Sequence, residues 1–225
     1  MKVFIFCGGK ATRFNNGKPG PLKPLIRLGK KRILEYIINN LFQNNLSEIY
    51  LLGGYKIKEL RQFFKQKKIY SSIRIIDTKI NTNTAGRLKM IKDMIKDKEK
   101  FIVTYGDTIV NYCHRKLVKI LDKDDYIISC FEKKFAYGRI IQRSGQLLEL
   151  REKELFTINA GYYVFDSRIF KYINNLNESL EDYIIPKIIN SKKINFLVNF
   201  VTEWLPIDNR KDLEFAKNKI KVFDG

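Results

Sequence analysis

The chain has 225 residues, 44% of them hydrophobic and 30% charged, and 43 Lys and Arg against 24 Asp and Glu give a formal net charge of +19. This length buries one substantial core, the apolar content is that of a soluble globular protein, and no uncharged apolar run is long enough to span a bilayer. "MKVFIF" is too short for a signal peptide, and Cys7, Cys113 and Cys130, with His114 as the single histidine, form neither a metal-ligand pattern nor a disulfide framework.

A reduced, cytoplasmic protein without a membrane partner is expected. The lysines are scattered through "KELRQFFKQKK", "KMIKDMIKDKEK" and "INSKKIN", mostly at polar positions of predicted helices. They read as a solvated face in a chain also heavy in Ile and Asn, so no dedicated nucleic-acid partner is expected. Attraction of anionic small molecules fits the same charge.

In chain order, "KVFIFC" is a short apolar run ending in glycines, which suits a buried parallel strand. "ILEYIINNLF" has apolar residues at 33, 34, 37, 38, 41 and 42, which is helical spacing. "EIYLLGGY" predicts a second strand, "IKELRQFF" a second helix, "IRIID" a third strand and "GRLKMIKDMIK" a third helix. "FIVTYGD" is a fourth strand, "HRKLVKIL" is helical and "YIISCF" is another strand. The alternation predicts an α/β fold: a Rossmann-like doubly wound, mostly parallel sheet with helices on both faces.

Beyond residue 135 the rhythm changes. "GRIIQRSGQLLEL" predicts a hairpin turning at Ser144-Gly145, "AGYYVFD" and "INFLVN" predict strands, and "SLEDYIIPKIINSK" and "RKDLEFAKN" predict helices. No linker or internal repeat interrupts the chain. A single mixed α/β domain over 1–225 is expected, with a nucleotide-binding half (1–135) and an acceptor-binding half (136–225).

The stretch "FCGGKATRF" after the first strand fits neither common phosphate-binding pattern. A P-loop would carry glycine where Arg13 stands, and a dinucleotide loop would carry glycine at Lys10 and Arg13. Gly8 and Gly9 let the backbone approach a ligand, and exposed N–H groups there can hold anionic oxygens. Arg13 adds a fork and Lys23 a point charge. With strand order 3-2-1-4, strands 1 and 4 are neighbours, which sets Asp107 of "TYGD" beside this loop. A carboxylate among phosphate-binding groups suits Mg²⁺, and Asp208 in "EWLPIDN" is the candidate second ligand. The alternatives are a turn residue for Asp107 and a helix N-cap for Asp208.

The motifs "GGKATRF…LKPL", "GGY", "TAGRL", "TYGD", "REK", "NAGYYVF" and "EWLPIDN" stand in the order seen in the sugar-nucleotide pyrophosphorylases. Over nearly its whole length the chain resembles that nucleotidyltransferase superfamily, most of all its glucose-1-phosphate cytidylyltransferase branch. The resemblance implies that Gly8, Gly9, Thr12 and Arg13 line the nucleotide and its triphosphate, and that Lys23 contacts the phosphates in the transition state. It implies Tyr55, Gly86 and Arg87 near cytosine and ribose, and Asp107 and Asp208 on Mg²⁺. Lys153 would meet the acceptor phosphate, with Asn159 and Gly161 shaping the acceptor pocket. Arg87 and Lys153 could instead be solvated charges, and Asn159 and Gly161 turn residues.

The function implied is an Mg²⁺-dependent cytidylyltransferase joining CTP to a small phosphorylated acceptor, such as glucose 1-phosphate, for polysaccharide biosynthesis. A homo-oligomer is compatible with it. The alternatives are a non-sugar acceptor such as phosphocholine or a phosphorylated amino acid, and a non-catalytic nucleotide- or RNA-binding module. The chain departs from the family at Lys10 and Ala11, at Pro21, at Glu154 after "REK" and at Ala160.

Overall fold

Side-chain alternation along the first strand sets the architecture. In β1 (Val3–Phe6), Val3 and Ile5 join one buried cluster while Phe4 and Phe6 join another. A strand buried on both faces belongs at the centre of a covered sheet. The structure, a computed structural model, describes residues 1–67, 71–111, 117 and 125–220. Cys113, His114 and the helix expected over "HRKLVKIL" therefore lie outside the described residues, apart from Leu117.

After β1 come the short strands β2 (Arg27–Leu28) and β3 (Lys31–Arg32), helix α1 (Ile33–Gln43), β4 (Ile49–Gly53), α2 (Ile57–Lys65), β5 (Arg74–Asp77) and α3 (Thr84–Lys89). Next are β6 (Phe101–Tyr105), β7 (Thr108–Val110), β8 (Tyr126–Lys134), β9 (Arg139–Arg143), β10 (Gln146–Arg151) and β11 (Leu155–Phe165). The chain then runs through α4 (Ile185–Ser191), β12 (Phe196–Phe200), β13 (Trp204–Pro206) and α5 (Arg210–Lys219).

The main sheet has seven strands in the order β12-β8-β11-β6-β1-β4-β5. Its β5-β4-β1-β6 portion is the expected 3-2-1-4 arrangement, and all three of its pairings are parallel. Beyond β6 the sheet becomes mixed. β11 runs antiparallel to both β6 and β8, and β12 pairs parallel with β8. The reversal follows from chain direction: after β8 the chain turns through β9 and β10 and returns beside β8.

One sheet face packs against Leu34 and Ile38 of α1, Leu60 and Phe64 of α2, and Ala216 of α5. The other packs against Ala85 and Leu88 of α3 and Ile185 and Ile188 of α4. The third helix is shorter than its sequence pattern predicts, because α3 ends at Lys89 and a separate 3₁₀ turn covers Lys92–Met94. Leu88, Ile91 and Ile95 all still enter one core. Pro186 stands where a π-helical turn over Leu180–Ile184 passes directly into α4, so the helical run accommodates it at a change of hydrogen-bond pattern. Ser144 (φ 47°) and Gly145 (φ 81°) turn the β9–β10 hairpin, as two left-handed residues do in a tight hairpin loop.

Two long-range devices position the site. β7 and β13 pair antiparallel, and the Ile207 N–H donates to the Asp107 carbonyl at 3.0 Å, which brings Asp208 alongside Asp107. In β11, the register with β8 shifts between Asn159 and Tyr163, at the carboxyl end of β6.

Candidate active site

The ends of β1 and β6, the β7–β13 pair and the β11 bulge surround a cavity of about 650 Å³. Its floor is the loop after β1. The Gly8 carbonyl accepts from Arg87 Nη2 at 3.1 Å and from the Tyr55 N–H at 3.3 Å, and the Lys10 carbonyl accepts from the Gly20 N–H at 2.8 Å. These bonds use the loop's carbonyls. Among the described residues, no backbone carbonyl takes the N–H groups of residues 8–13. Gly8, Gly9, Lys10, Ala11, Thr12 and Arg13 all line the cavity, so the loop offers it a run of free donors. Ala11 holds a left-handed backbone (φ 53°), the conformation that glycine would accept without strain.

Beside this loop, Lys23 joins the two carboxylates. Its Nζ lies 2.8 Å from Asp208 Oδ1 and 3.1 Å from Asp107 Oδ2, and Lys23 is buried. Burial opposes the ammonium charge, but the two carboxylates outweigh it and hold the Lys23 pKa above that of an ordinary lysine. Burial pushes the Asp107 carboxyl up despite Lys23. Asp208 goes the other way: burial would raise it, but Lys23 and Arg13 together hold it below the usual range. Arg13 Nη1 reaches Asp208 Oδ2 at 3.1 Å from an exposed position. Asp208 is not the cap of α5; that role belongs to Asn209, whose side chain accepts from the Asp212 N–H. Asp107 does occupy the turn after Gly106, with its side chain on Lys23.

Two carboxylates from separate elements thus converge on one cation beside free backbone donors. The Lys23 ammonium stands where a positive charge between them belongs. This donor set suits a divalent ion that completes its coordination with phosphate oxygens and water.

Arg87 is buried rather than solvated. Its guanidinium donates to the Gly53 carbonyl at 3.0 Å, the Gly8 carbonyl and Thr78 Oγ1, bracing the loop against the end of β4. Burial lowers its pKa. A Cβ on Gly8 would fall 2.4 Å from Arg87 Nη1, so glycine is what admits this brace. Tyr55 does not line the cavity; its hydroxyl donates to the Gly20 carbonyl at 3.0 Å and supports the loop from behind. Gly86 is likewise outside the cavity, packed where a Cβ would meet the Leu176 carbonyl oxygen at 2.1 Å.

On the acceptor side, Asn159 and Gly161 line the cavity and Lys153 does not. Lys153 is exposed in the turn between β10 and β11, because the β9–β10 hairpin forms a sheet of its own instead of extending the main one. Gly161 has φ 72°, and a Cβ there would strike the Tyr105 ring at 2.9 Å.

Sequence reasoning missed Glu181, Tyr105, Tyr163 and Trp204, which also line the cavity. The Tyr105 and Tyr163 hydroxyls both donate to Glu181 Oε1, the latter at 2.9 Å. Tyr105 was visible inside "TYGD" and Tyr163 inside "NAGYYVF", but nothing in "SLEDYII" separates Glu181 from a helix-start charge. Trp204 stacks on Phe131 with ring centroids 5.8 Å apart. Its indole N–H is buried without an acceptor among the described residues.

The fold and this site define an α/β protein that presents cations and free backbone N–H groups to an anionic ligand at the carboxyl ends of parallel strands. The chain belongs to the nucleotidyl transferase family, whose model matches residues 2–221. It is 27% identical to a probable glucose-1-phosphate cytidylyltransferase of Bacillus subtilis, across 95% of this chain and 93% of that one. It is 24% identical to the glucose-1-phosphate cytidylyltransferase of Salmonella typhimurium, across 94% and 93%. The mannose-1-phosphate guanylyltransferase catalytic subunit beta of Dictyostelium discoideum is also 24% identical, across 94% of this chain and 62% of that one. In fold, the chain matches HddC from Yersinia pseudotuberculosis, solved in complex with GMP-PN, with a TM-score of 0.76 at 23% identity, covering 97% and 99% of the two chains. No helix among the described residues is long and apolar enough to cross a membrane.

Proposed function

We propose that the protein is a cytidylyltransferase that transfers the cytidylyl group of CTP to a sugar 1-phosphate, releasing pyrophosphate. The observation that carries the transferase reading is Lys23 held between Asp107 and Asp208, at 3.1 and 2.8 Å, against a loop of unpaired N–H groups. The choice of CTP is supported by "GGY", "TAGRL" and "TYGD" and by the two bacterial relatives.

In this reading an oxygen of the acceptor phosphate attacks the α-phosphorus of the nucleotide. The new P–O bond forms as the bond to the β-phosphate oxygen breaks, and the electron pair leaves with pyrophosphate. The acceptor is a phosphate monoester with a second pKa of about 6, so at neutral pH it needs no general base. The work of the chain is then positioning and charge neutralisation. The N–H groups of residues 8–13 hold the triphosphate oxygens, while Lys23 and Arg13 offset negative charge. Asp107 and Asp208 would hold Mg²⁺, which supplies charge neutralisation at the phosphates when bound.

The test is pyrophosphate release with each of CTP, UTP, dTTP and GTP against a panel of sugar 1-phosphates, phosphocholine and phosphoserine, with Mg²⁺. CTP with a sugar 1-phosphate is expected to give the highest turnover. Preference for another nucleotide would refute the cytidylyl assignment alone. Release with no acceptor above background would refute the transferase reading.

A further inference from the structure

The transfer chemistry leaves two carboxylates of the cavity unused, Glu181 and its neighbour Asp182, and the tyrosine hydroxyls converge on the first. Glu181 lies in the π-helical turn Leu180–Ile184, capped by Ser179, whose side chain accepts from the Asp182 N–H. Its Oε1 accepts from the hydroxyls of Tyr105 and Tyr163, and Thr84 Oγ1 lies 3.4 Å from Oε2. The network behind these bonds has a direction. Asn159 Oδ1 accepts from the Gly161 N–H at 2.9 Å, Asn159 Nδ2 donates to the Tyr163 hydroxyl oxygen at 2.6 Å, and Tyr163 then donates onward to Glu181. The Leu180 N–H occupies the Thr84 hydroxyl oxygen at 2.7 Å, leaving the Thr84 proton for Glu181. Each of these hydroxyls is directed at Glu181, so the carboxylate serves the network as its acceptor.

A carboxylate has about four lone-pair sites. Two on Oε1 are taken and one on Oε2 carries the long Thr84 contact, so Oε2 keeps capacity for a donor entering the cavity. The carboxylate is also rigidly held. Tyr163 is fully buried and stacked on Phe165 with centroids 5.4 Å apart, and Tyr105 is wedged against Phe6 at 5.3 Å and against Gly161. Tyr163 gives a ring face to Phe165 and Tyr105 meets Phe6 at a tilt of 56°, while both hydroxyl tips are aimed at Glu181. Fully buried, the Tyr163 ring offers a quaternary ammonium no open face, which an aromatic cage needs. The carboxylate is a good site for hydroxyl donors.

We infer that Glu181 is a specificity-determining residue: it accepts a hydrogen bond from a hydroxyl of the acceptor and so selects an acceptor that carries one. The inference rests on the transferase reading for the location of the acceptor, since Tyr105 stands two residues before Asp107 on the segment that ends at the phosphates.

Titration calorimetry on the whole protein tests it. Glucose, galactose and mannose 1-phosphates, the monodeoxy analogues of the best of them, phosphocholine, and CTP are titrated into wild type, Glu181→Gln and Glu181→Leu. A hexose 1-phosphate is expected to bind wild type and to lose about tenfold or more in affinity in Glu181→Leu, with Glu181→Gln between the two. The CTP affinity is expected to stay within about twofold, reporting an intact fold. At least one deoxy analogue should bind wild type more weakly than its parent, and that penalty should vanish in Glu181→Leu. The inference is overturned if wild type binds none of the hexose phosphates, if Glu181→Leu keeps the deoxy penalty, or if phosphocholine is the preferred ligand. Glu181-dependent sugar binding without pyrophosphate release would refute the transferase reading and leave this inference standing.

Discussion

At the scale of single residues, the site turns on a lysine that does two things. Lys23 neutralises Asp107 and Asp208 and lines the same cavity as the glycine loop, where the proposed reaction has it meet phosphates. Replacing it with Met leaves Asp107 without its cation, a loss expected to destabilise the protein by about 1–3 kcal/mol because the carboxylate is only partly solvated. An ion that binds the folded carboxylate pair stabilises it by mass action. Millimolar Mg²⁺ should therefore raise the melting temperature of Lys23→Met more than that of wild type; equal shifts would argue against metal binding by this pair. Asp107→Asn is expected to abolish turnover while altering stability by less than about 1 kcal/mol. Burial already favours the neutral form of this side chain, and Lys23 keeps its bond to Asp208. Thermal melts and pyrophosphate release on the same preparation check both halves of that statement.

Among the elements, β1 shows how a short strand is anchored. Lys2 Nζ, just before it, lies 2.8 Å from Glu99 Oε1 and 2.8 Å from the Met94 carbonyl, fastening the strand to the turn that leads into β6. Burial would raise the Glu99 pKa, but the Lys2 ammonium and the Lys96 N–H outweigh it and hold it below the usual range. A carboxyl with a depressed folded pKa contributes stability above its unfolded pKa and loses it as pH falls through the folded one. Glu99→Gln is thus expected to cost no more than about 1 kcal/mol at neutral pH. The gap from wild type should close between about pH 5 and pH 3, the range around an ordinary glutamate. Urea unfolding at a series of pH values measures this, and a gap independent of pH would exclude the Lys2–Glu99 charge pair as its source.

Over the whole molecule, a net charge of +19 meets a polyanionic substrate. Such a field raises the encounter rate of an anionic ligand and is screened within about 8 Å at physiological ionic strength. Raising NaCl from about 0.05 to 0.5 M should lower kcat/KM for the nucleotide several-fold while kcat changes little. An unchanged kcat/KM would assign the lysines to solvation alone.

Periodicity and glycine placement were enough to determine the strand–helix alternation and the cationic loop after β1, and the 3-2-1-4 core followed from the doubly wound class that this alternation implies. These depend on local spacing and on the burial of both faces of a parallel sheet, which each segment records in its own residues. Asp107 followed from strand order for the same reason. What only the tertiary structure decided depends on contacts between distant segments. The β7–β13 pairing delivers Asp208 to Lys23 across 185 residues of sequence. The separate β9–β10 sheet leaves Lys153 in solvent, and Arg87 serves as a buried brace rather than a charge at a helix start. Glu181 enters the cavity from the turn Leu180–Ile184, held on Thr84, and meets there Tyr105 of β6 and Tyr163 of β11. No spacing rule encodes that meeting; it exists only once the sheet has closed around it.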